Sequence, residues 1–352
     1  MIRWNRQFTE LIRRNRAGYW GNWGLAMHVR PGAVGIVDPA TGDFRLVHPS
    51  LPGVEIRRDR MPGSWKLLSE HVSRQEGAVD VSAEADDGTG TRGEGGLEVR
   101  WAMGRAGAIA SEFSLREQAV IADLTRIPAQ FRWLAEQAAR VGHGRNGAIH
   151  QGFGVVTSAI YANSGLNVGS QSENAEFSIA GRASAVREML GGVAGNGSFS
   201  SMRRVRNVDR QVWPARANTR PGEAVPIAYS FASFDGDLFL PNWQRRLGAL
   251  ELEFRNPAGG TFRVQIEVSW QVGNRARTVQ RVGVNGGMTR TIGNIPLAAR
   301  DLRMSARFVG SGSPPIERRW ADPLRQWGNG RRRIELRGVW PGRISLRVEE
   351  ED

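Results

Sequence analysis

A protein without cysteine must do its chemistry with histidine, carboxylate, hydroxyl or guanidinium groups, and this chain has no cysteine. Disulfides, thiolate metal sites and thiol nucleophiles are therefore excluded. The five histidines, His28, His48, His71, His143 and His150, are scattered along the sequence. No pair of them has metal-ligand spacing with a nearby acid on one helix face. His143 and His150 bracket a glycine-rich turn and read as solvated loop residues. Gly152-Phe153-Gly154-Val155-Val156-Thr157 begins like a dinucleotide loop, but Thr157 stands where the third glycine belongs. The segment also reads as a strand where a helix should open. No Walker loop and no Gly-x-Ser-x-Gly elbow occurs. Asp80, Glu84, Asp86 and Asp87 line an acidic strand edge, which fits a cation but reads better as a solvent face. The expectation is a protein that is not an enzyme, with no cofactor and no metal.

What remains is recognition of charge. The formal net charge is +13, and Lys66 is the one lysine among 48 basic residues. So arginine-rich a chain reflects a GC-rich genome at least as much as a partner, although a basic surface favours anionic membranes or nucleic acid. The sharpest signal is the opening MIRWNRQFTELIRRNR. On a helix, Trp4, Phe8, Leu11 and Ile12 share one face, while Arg3, Arg6, Arg13, Arg14 and Arg16 crowd the rest. Two readings fit: a helix lying at the headgroup boundary of an anionic membrane, or a surface helix packing its apolar side on the domain behind it. Trp20 and Trp23, close by, suit an interfacial anchor as well as a core. Arg203-Arg204-Val205-Arg206 and Arg331-Arg332-Arg333 are candidate phosphate contacts. Neither is interleaved with aromatics as a single-strand groove would be, and neither sits on a helix-turn-helix, so no nucleic-acid partner is expected. Glu349-Glu350-Glu351-Asp352 reads as a solvated acidic end.

The elements that must position these residues follow from periodicity. Ala33–Val37 and Phe44–Val47 form a hairpin around the turn Asp38–Gly42. Val79, Val81, Ala83 and Ala85 alternate with polar residues, and after a glycine-rich bend Leu97, Val99, Trp101 and Met103 resume the period. Residues 115–141 read as helical, with Pro128 between two segments. Gly152–Ala162 is apolar enough for a central strand, Asn163–Asn174 is a polar interruption, and Phe177 and Ile179 mark a short strand. Ala183–Leu190 reads as a short helix, Ser198–Val212, containing Val205 and Val208, as a second alternating stretch, and Val225–Phe234 as a buried strand. Beyond Pro241–Arg246 come alternating runs at Leu250/Leu252/Phe254, Val264/Ile266/Val268/Trp270, Met304/Ala306/Phe308, Ile334/Leu336 and Ile344/Leu346/Val348. Short strands at this spacing, without intervening helices, predict a β-sandwich. The fold class expected is α+β: a twisted antiparallel sheet with an N-terminal amphipathic helix and peripheral helices over residues 1–246, then an all-β sandwich-like domain over 247–352. Trp320, Trp327 and Trp340 in the latter fit either its core or a sugar or headgroup site.

The order of these elements resembles the pore-forming domain of gasdermins over roughly residues 1–240. The basic helix comes first, then the 79–103 strand pair, the helical stretch, the apolar strand with Val155-Val156-Thr157, the second strand pair, and the strand containing Ala228-Tyr229. The resemblance implies binding of acidic lipids through Arg3, Trp4, Arg6, Phe8, Leu11, Arg13, Arg14 and Arg16. It also implies insertion of two hairpins, carrying Val79, Val81, Val99, Trp101, Phe177, Ile179, Val205 and Val208, into an oligomeric barrel. Only a closed barrel satisfies strand backbone groups in lipid. The family's helical C-terminal repressor is replaced here by the strand-rich domain. The function expected is thus a pore-forming protein, cytoplasmic as made and membrane-bound on activation, with acidic lipids, copies of itself and an activating protease as partners. The alternative is a non-enzymatic binding or structural protein whose β-sandwich recognises a carbohydrate or a protein.

Overall fold

The structure, a computed structural model, describes residues 2–79, 96–190, 201–214, 223–257, 262–310, 312, 314–320, 330–338 and 344–349. In chain order the elements begin with α1 (Trp4–Arg13), β1 (Trp20–Gly21), β2 (Val34–Val37), β3 (Phe44–His48), β4 (Ile56–Leu68), β5 (Val72–Val79), β6 (Gly96–Met103) and β7 (Ile109–Ile121). There follow α2 (Arg126–Ala129), α3 (Phe131–Arg140), β8 (Gly144–Arg145), β9 (Ala148–Ile149), β10 (Phe153–Ser170), β11 (Ala175–Arg182), α4 (Ala183–Met189), β12 (Ser201–Arg206) and β13 (Val208–Trp213). The last are β14 (Val225–Asp235), β15 (Leu238–Leu240), β16 (Leu250–Arg255), β17 (Val264–Val272), β18 (Thr278–Val284), β19 (Thr289–Ile295), β20 (Ala299–Phe308), β21 (Ile316–Trp320), β22 (Arg331–Gly338) and β23 (Ile344–Glu349).

The α+β expectation is corrected. Among the described residues the helices number four, the longest of ten residues, and the chain is predominantly β with several sheets. The error centres on residues 115–121. Leu-Arg-Glu-Gln-Ala-Val-Ile has good helix formers, yet it forms the second half of β7, paired antiparallel to β4 on one side and β10 on the other. Two ladders of backbone hydrogen bonds outweigh a local propensity of a few tenths of a kilocalorie per residue. Helix begins only at Arg126. Likewise Asn163–Asn174 is no interruption, because β10 runs to Ser170 with Leu166 and Val168 fully buried. Buried Asn167 is tolerated there because it accepts from Ser111 Oγ at 2.7 Å and donates to the Trp23 carbonyl at 3.0 Å.

By contact the chain divides into two units, residues 1–130 with 154–231, and residues 131–153 with 232–352. The first unit holds most of a nine-stranded sheet with β10 as its spine. Near its C-terminal half β10 lies between β7 and β13, and β7 carries β4 on its other edge. Both faces of this part of the sheet are covered. On one, Phe8, Leu11 and Ile12 of α1 join Trp23, Ile109 and Phe113 in a core. On the other, Ala110, Leu166 and Val168 meet a second sheet of order β12-β11-β6-β5, which contributes Val99, Trp101, Phe177 and Ile179, with Val186 and Met189 from α4. Alternation along β7 explains the layering: Ile109 and Phe113 point to α1, Ala110 to the second sheet.

In the second unit, β19-β16-β22-β23 and β18-β17-β20-β21 form two four-stranded sheets. Leu250, Leu252, Phe254, Ile334 and Leu336 of the first share one core with Val264, Ile266, Val268, Met304 and Phe308 of the second. This is the sandwich arrangement read from the alternating runs.

Candidate functional site

The N-terminal helix has the predicted amphipathic face. Arg3, Arg6, Arg14 and Arg16 are exposed, and Trp4 and Arg13 are half-buried. Arg6 pairs with Glu10 one turn on, at 2.9 Å, and Arg14 approaches Glu70 at 4.0 Å. Phe8 is 0% and Leu11 6% exposed, so the apolar face is occupied by the domain behind it. Trp4 stacks on Trp23 with ring centroids 5.4 Å apart, and Phe8 meets the same indole edge-on at 5.8 Å. Gly169 makes room for this: a Cβ there would lie 2.4 Å from the Trp4 ring. Arg13 is set apart from the other arginines. Its Nε donates to the Tyr19 carbonyl at 3.0 Å, and its guanidinium lies 4.2 Å from the centroid of Trp20. Burial pulls it down to about 10, against the opposing pull of Tyr229 and Glu10, so it stays charged at neutral pH.

The residues assigned to membrane hairpins are brought together in part. Trp101 stands opposite Phe177 and Val99 opposite Ile179 across β6 and β11, and all four are buried. The Trp101 and Phe177 rings are 5.7 Å apart. Val205 stands opposite Phe177 on the other side, in β12. Val79, half-buried, ends β5. Val81 lies outside the described residues, as do Asp80, Glu84, Asp86 and Asp87. Val208 belongs elsewhere: it lies on β13, paired with β10. The two strand pairs that look separate in the sequence thus share one antiparallel sheet.

Glu112, on β7, is a buried charged residue that the sequence reading missed. It is 2% exposed and faces the second sheet. It accepts from Trp101 Nε1 at 2.9 Å and from Arg74 Nε at 2.6 Å. Arg74 also binds Glu76 on its own strand. Although desolvation opposes it, the hydrogen bonds Arg74 donates to these two carboxylates hold it above its ordinary pKa. A lone glutamate within a strand gives no signal that it ties three strands together.

In the sandwich, half-buried Trp320 packs against the core, and Trp327 and Trp340 lie outside the described residues. Its outer faces carry ion pairs: Arg331 and Arg333 bind Glu253 on one sheet, and Arg277, Arg303 and Arg319 converge on Asp301 on the other. Hydrogen bonding led by Arg303 pulls Asp301 down to about 2. Among the described residues no three His, Asp or Glu side chains could hold a metal, and no helix is long and apolar enough to cross a membrane.

No protein-family model and no curated protein matches this chain. Among solved structures it is similar to the sugar-binding protein pneumolysin, at 10% identity and a TM-score of 0.25, over 95% of this chain and 87% of that one. It is similar to a Gram-negative toxin at 12% identity and a TM-score of 0.26, over 93% and 86%. It is also similar to suilysin, a cytotoxin of Streptococcus suis, at 12% identity and a TM-score of 0.22, over 90% and 78%. TM-scores of this size do not establish a common fold.

Proposed function

We propose that the chain is a pore-forming protein that acts as gasdermins do. Its first unit binds acidic lipids through the exposed arginines in and flanking α1, Arg3, Arg6, Arg14 and Arg16. It then releases the strand pairs around 72–103 and 175–206, and these assemble with other copies into a β-barrel. The observation that carries this reading is the storage of both amphipathic strand pairs in one antiparallel sheet, β12-β11-β6-β5, separate from the sheet that anchors α1. A barrel strand needs about 9–11 residues to cross a bilayer, and each segment has enough for two. Arg204 and Arg206, two positions apart on β12, fall on one side of a strand, which suits a lumen face. The sandwich restrains or directs this unit, with cleavage near 241–248 by a protease as a trigger. The chain is cytoplasmic as made, and no catalytic step is assigned to it.

Dye release from vesicles tests the reading with the full-length protein. The expected result is leakage from phosphatidylglycerol-containing vesicles and none from phosphatidylcholine alone, with proteolysis near 241–248 increasing the rate. Silence from folded protein on both vesicle types, before and after cleavage, overturns it.

A further inference from the structure

The second sheet is held to β7 by two kinds of contact that respond differently to a membrane. Apolar packing of Val99, Trp101, Phe177 and Ile179 excludes water. Lipid tails exclude water as well, and they are as apolar as a leucine side chain. Transfer of these side chains from the protein core to a bilayer therefore changes their free energy little. The Glu112 contacts have no such substitute. Glu112 sits on an interior strand, its backbone in register with Lys66 of β4 and Leu166 of β10. Its carboxylate reaches out of that fixed sheet to Arg74 on β5 and Trp101 on β6. Arg74 also lies over the Trp101 ring, 6.0 Å from its centroid. Both charged partners are enclosed, with 14% of the Arg74 and 3% of the Glu112 side chain exposed. In such a setting a charged hydrogen bond is strong; removing Arg74 leaves Glu112 accepting from the Trp101 indole, and removing Glu112 leaves Arg74 with half-exposed Glu76, so each keeps a weaker partner.

We infer that Arg74–Glu112–Trp101 is a latch that sets how readily the β5–β6 strand pair leaves the main sheet. The inference rests on the pore-forming reading for its purpose but not for its existence. It assigns Glu112 and Arg74 to restraint within the first unit, alongside any restraint by the sandwich.

Hydrogen exchange of the full-length protein in lipid-free buffer tests the latch directly. Glu112→Gln keeps the shape and removes the charge, and Arg74→Met keeps the aliphatic stem over Trp101. Each is expected to speed exchange of the 73–78 and 97–103 amides about ten- to hundredfold, leaving β17 in the sandwich unchanged. The double variant is expected to fall short of the product of the two single effects, because they break one interaction. Trp101→Phe removes the indole donor and shrinks the buried ring that packs on Phe177 while Arg74 and Glu112 stay paired; an increase in the same segments is expected, and it serves where either charge variant fails to fold. Unchanged exchange at 97–103, or an equal rise in β17, overturns the latch. The same variants on phosphatidylglycerol vesicles separate the two proposals. Faster leakage supports both. Faster exchange with no leakage from any variant or from the parent protein keeps the latch and overturns the pore.

Discussion

Tyr229 donates its phenolic hydrogen to the Gly42 carbonyl at 2.8 Å and is 1% exposed. Burial raises its pKa well above the ordinary 10.0. The unfolded chain releases this proton near pH 10 while the folded chain keeps it, so its stabilising contribution is complete below that pH and is lost as pH rises above it. Tyr229→Phe is expected to cost about 1 kcal/mol at neutral pH in urea unfolding. It should also reduce the fall in stability above pH 10 relative to the parent protein. Asp301 behaves in the opposite sense. Held down to about 2 from 3.8 by Arg303, Arg277 and Arg319, it stabilises above its unfolded pKa, and that contribution is lost as pH falls through about 2. Unfolding midpoints measured between pH 5 and pH 2 should therefore decline less steeply in Asp301→Asn. Neither role is written in the sequence around these residues. Tyr229 meets a carbonyl far away in the chain, and Asp301 collects Arg303 from its own strand, Arg319 from β21 and Arg277 from the residue before β18.

At the scale of the element, α1 divides into residues that fold the domain and residues free to meet a surface. Phe8→Ala is expected to cost about 3–5 kcal/mol, measured by denaturant unfolding, because it empties a fully buried site. Exposed Arg3, Arg14 and Arg16 should each tolerate glutamine within about 0.5 kcal/mol. Each such change should nevertheless lower affinity for phosphatidylserine-rich vesicles by about fivefold, roughly 1 kcal/mol per basic residue, in a sedimentation assay. An unchanged affinity in the triple variant removes α1 from the lipid-binding surface. The helix was legible because its period is local, about 3.6 residues to a turn. Strand β7 was not. Leu115–Ile121 carries helix formers, and only pairing with β4 and β10 makes it a strand. Strand β4 itself was missed, since Ile56–Leu68 has little alternation and includes Pro62, which an edge strand tolerates.

On the scale of the whole molecule, the two units have separate apolar cores, and unfolding is not expected to be two-state. Leu252→Ala in the sandwich should lower one calorimetric transition and Phe8→Ala the other, each leaving its counterpart in place. A single transition shifted by both changes would mean that the units fold as one. The net charge of +13 adds a long-range attraction to anionic vesicles that salt screens over about 8 Å at physiological ionic strength. The sequence boundary at 246/247 follows the change from mixed elements to alternating strands. The division by contact also gives residues 131–153 and 232–246 to the second unit, which chain order could not disclose.

The sequence by itself determined what depends on near neighbours: the faces of α1, the alternating strands of the sandwich, and the lack of thiol chemistry. Those features follow from residue type and from helical or strand period, which neighbouring residues fix. Only the tertiary structure decided what the apolar face of α1 packs against, that β5–β6 and β11–β12 form one sheet, and that Glu112 binds Arg74, 38 positions away. The period of a strand says which side is apolar, not which strand lies beside it. That choice belongs to long-range pairing and burial, which arise only once the chain has closed on itself.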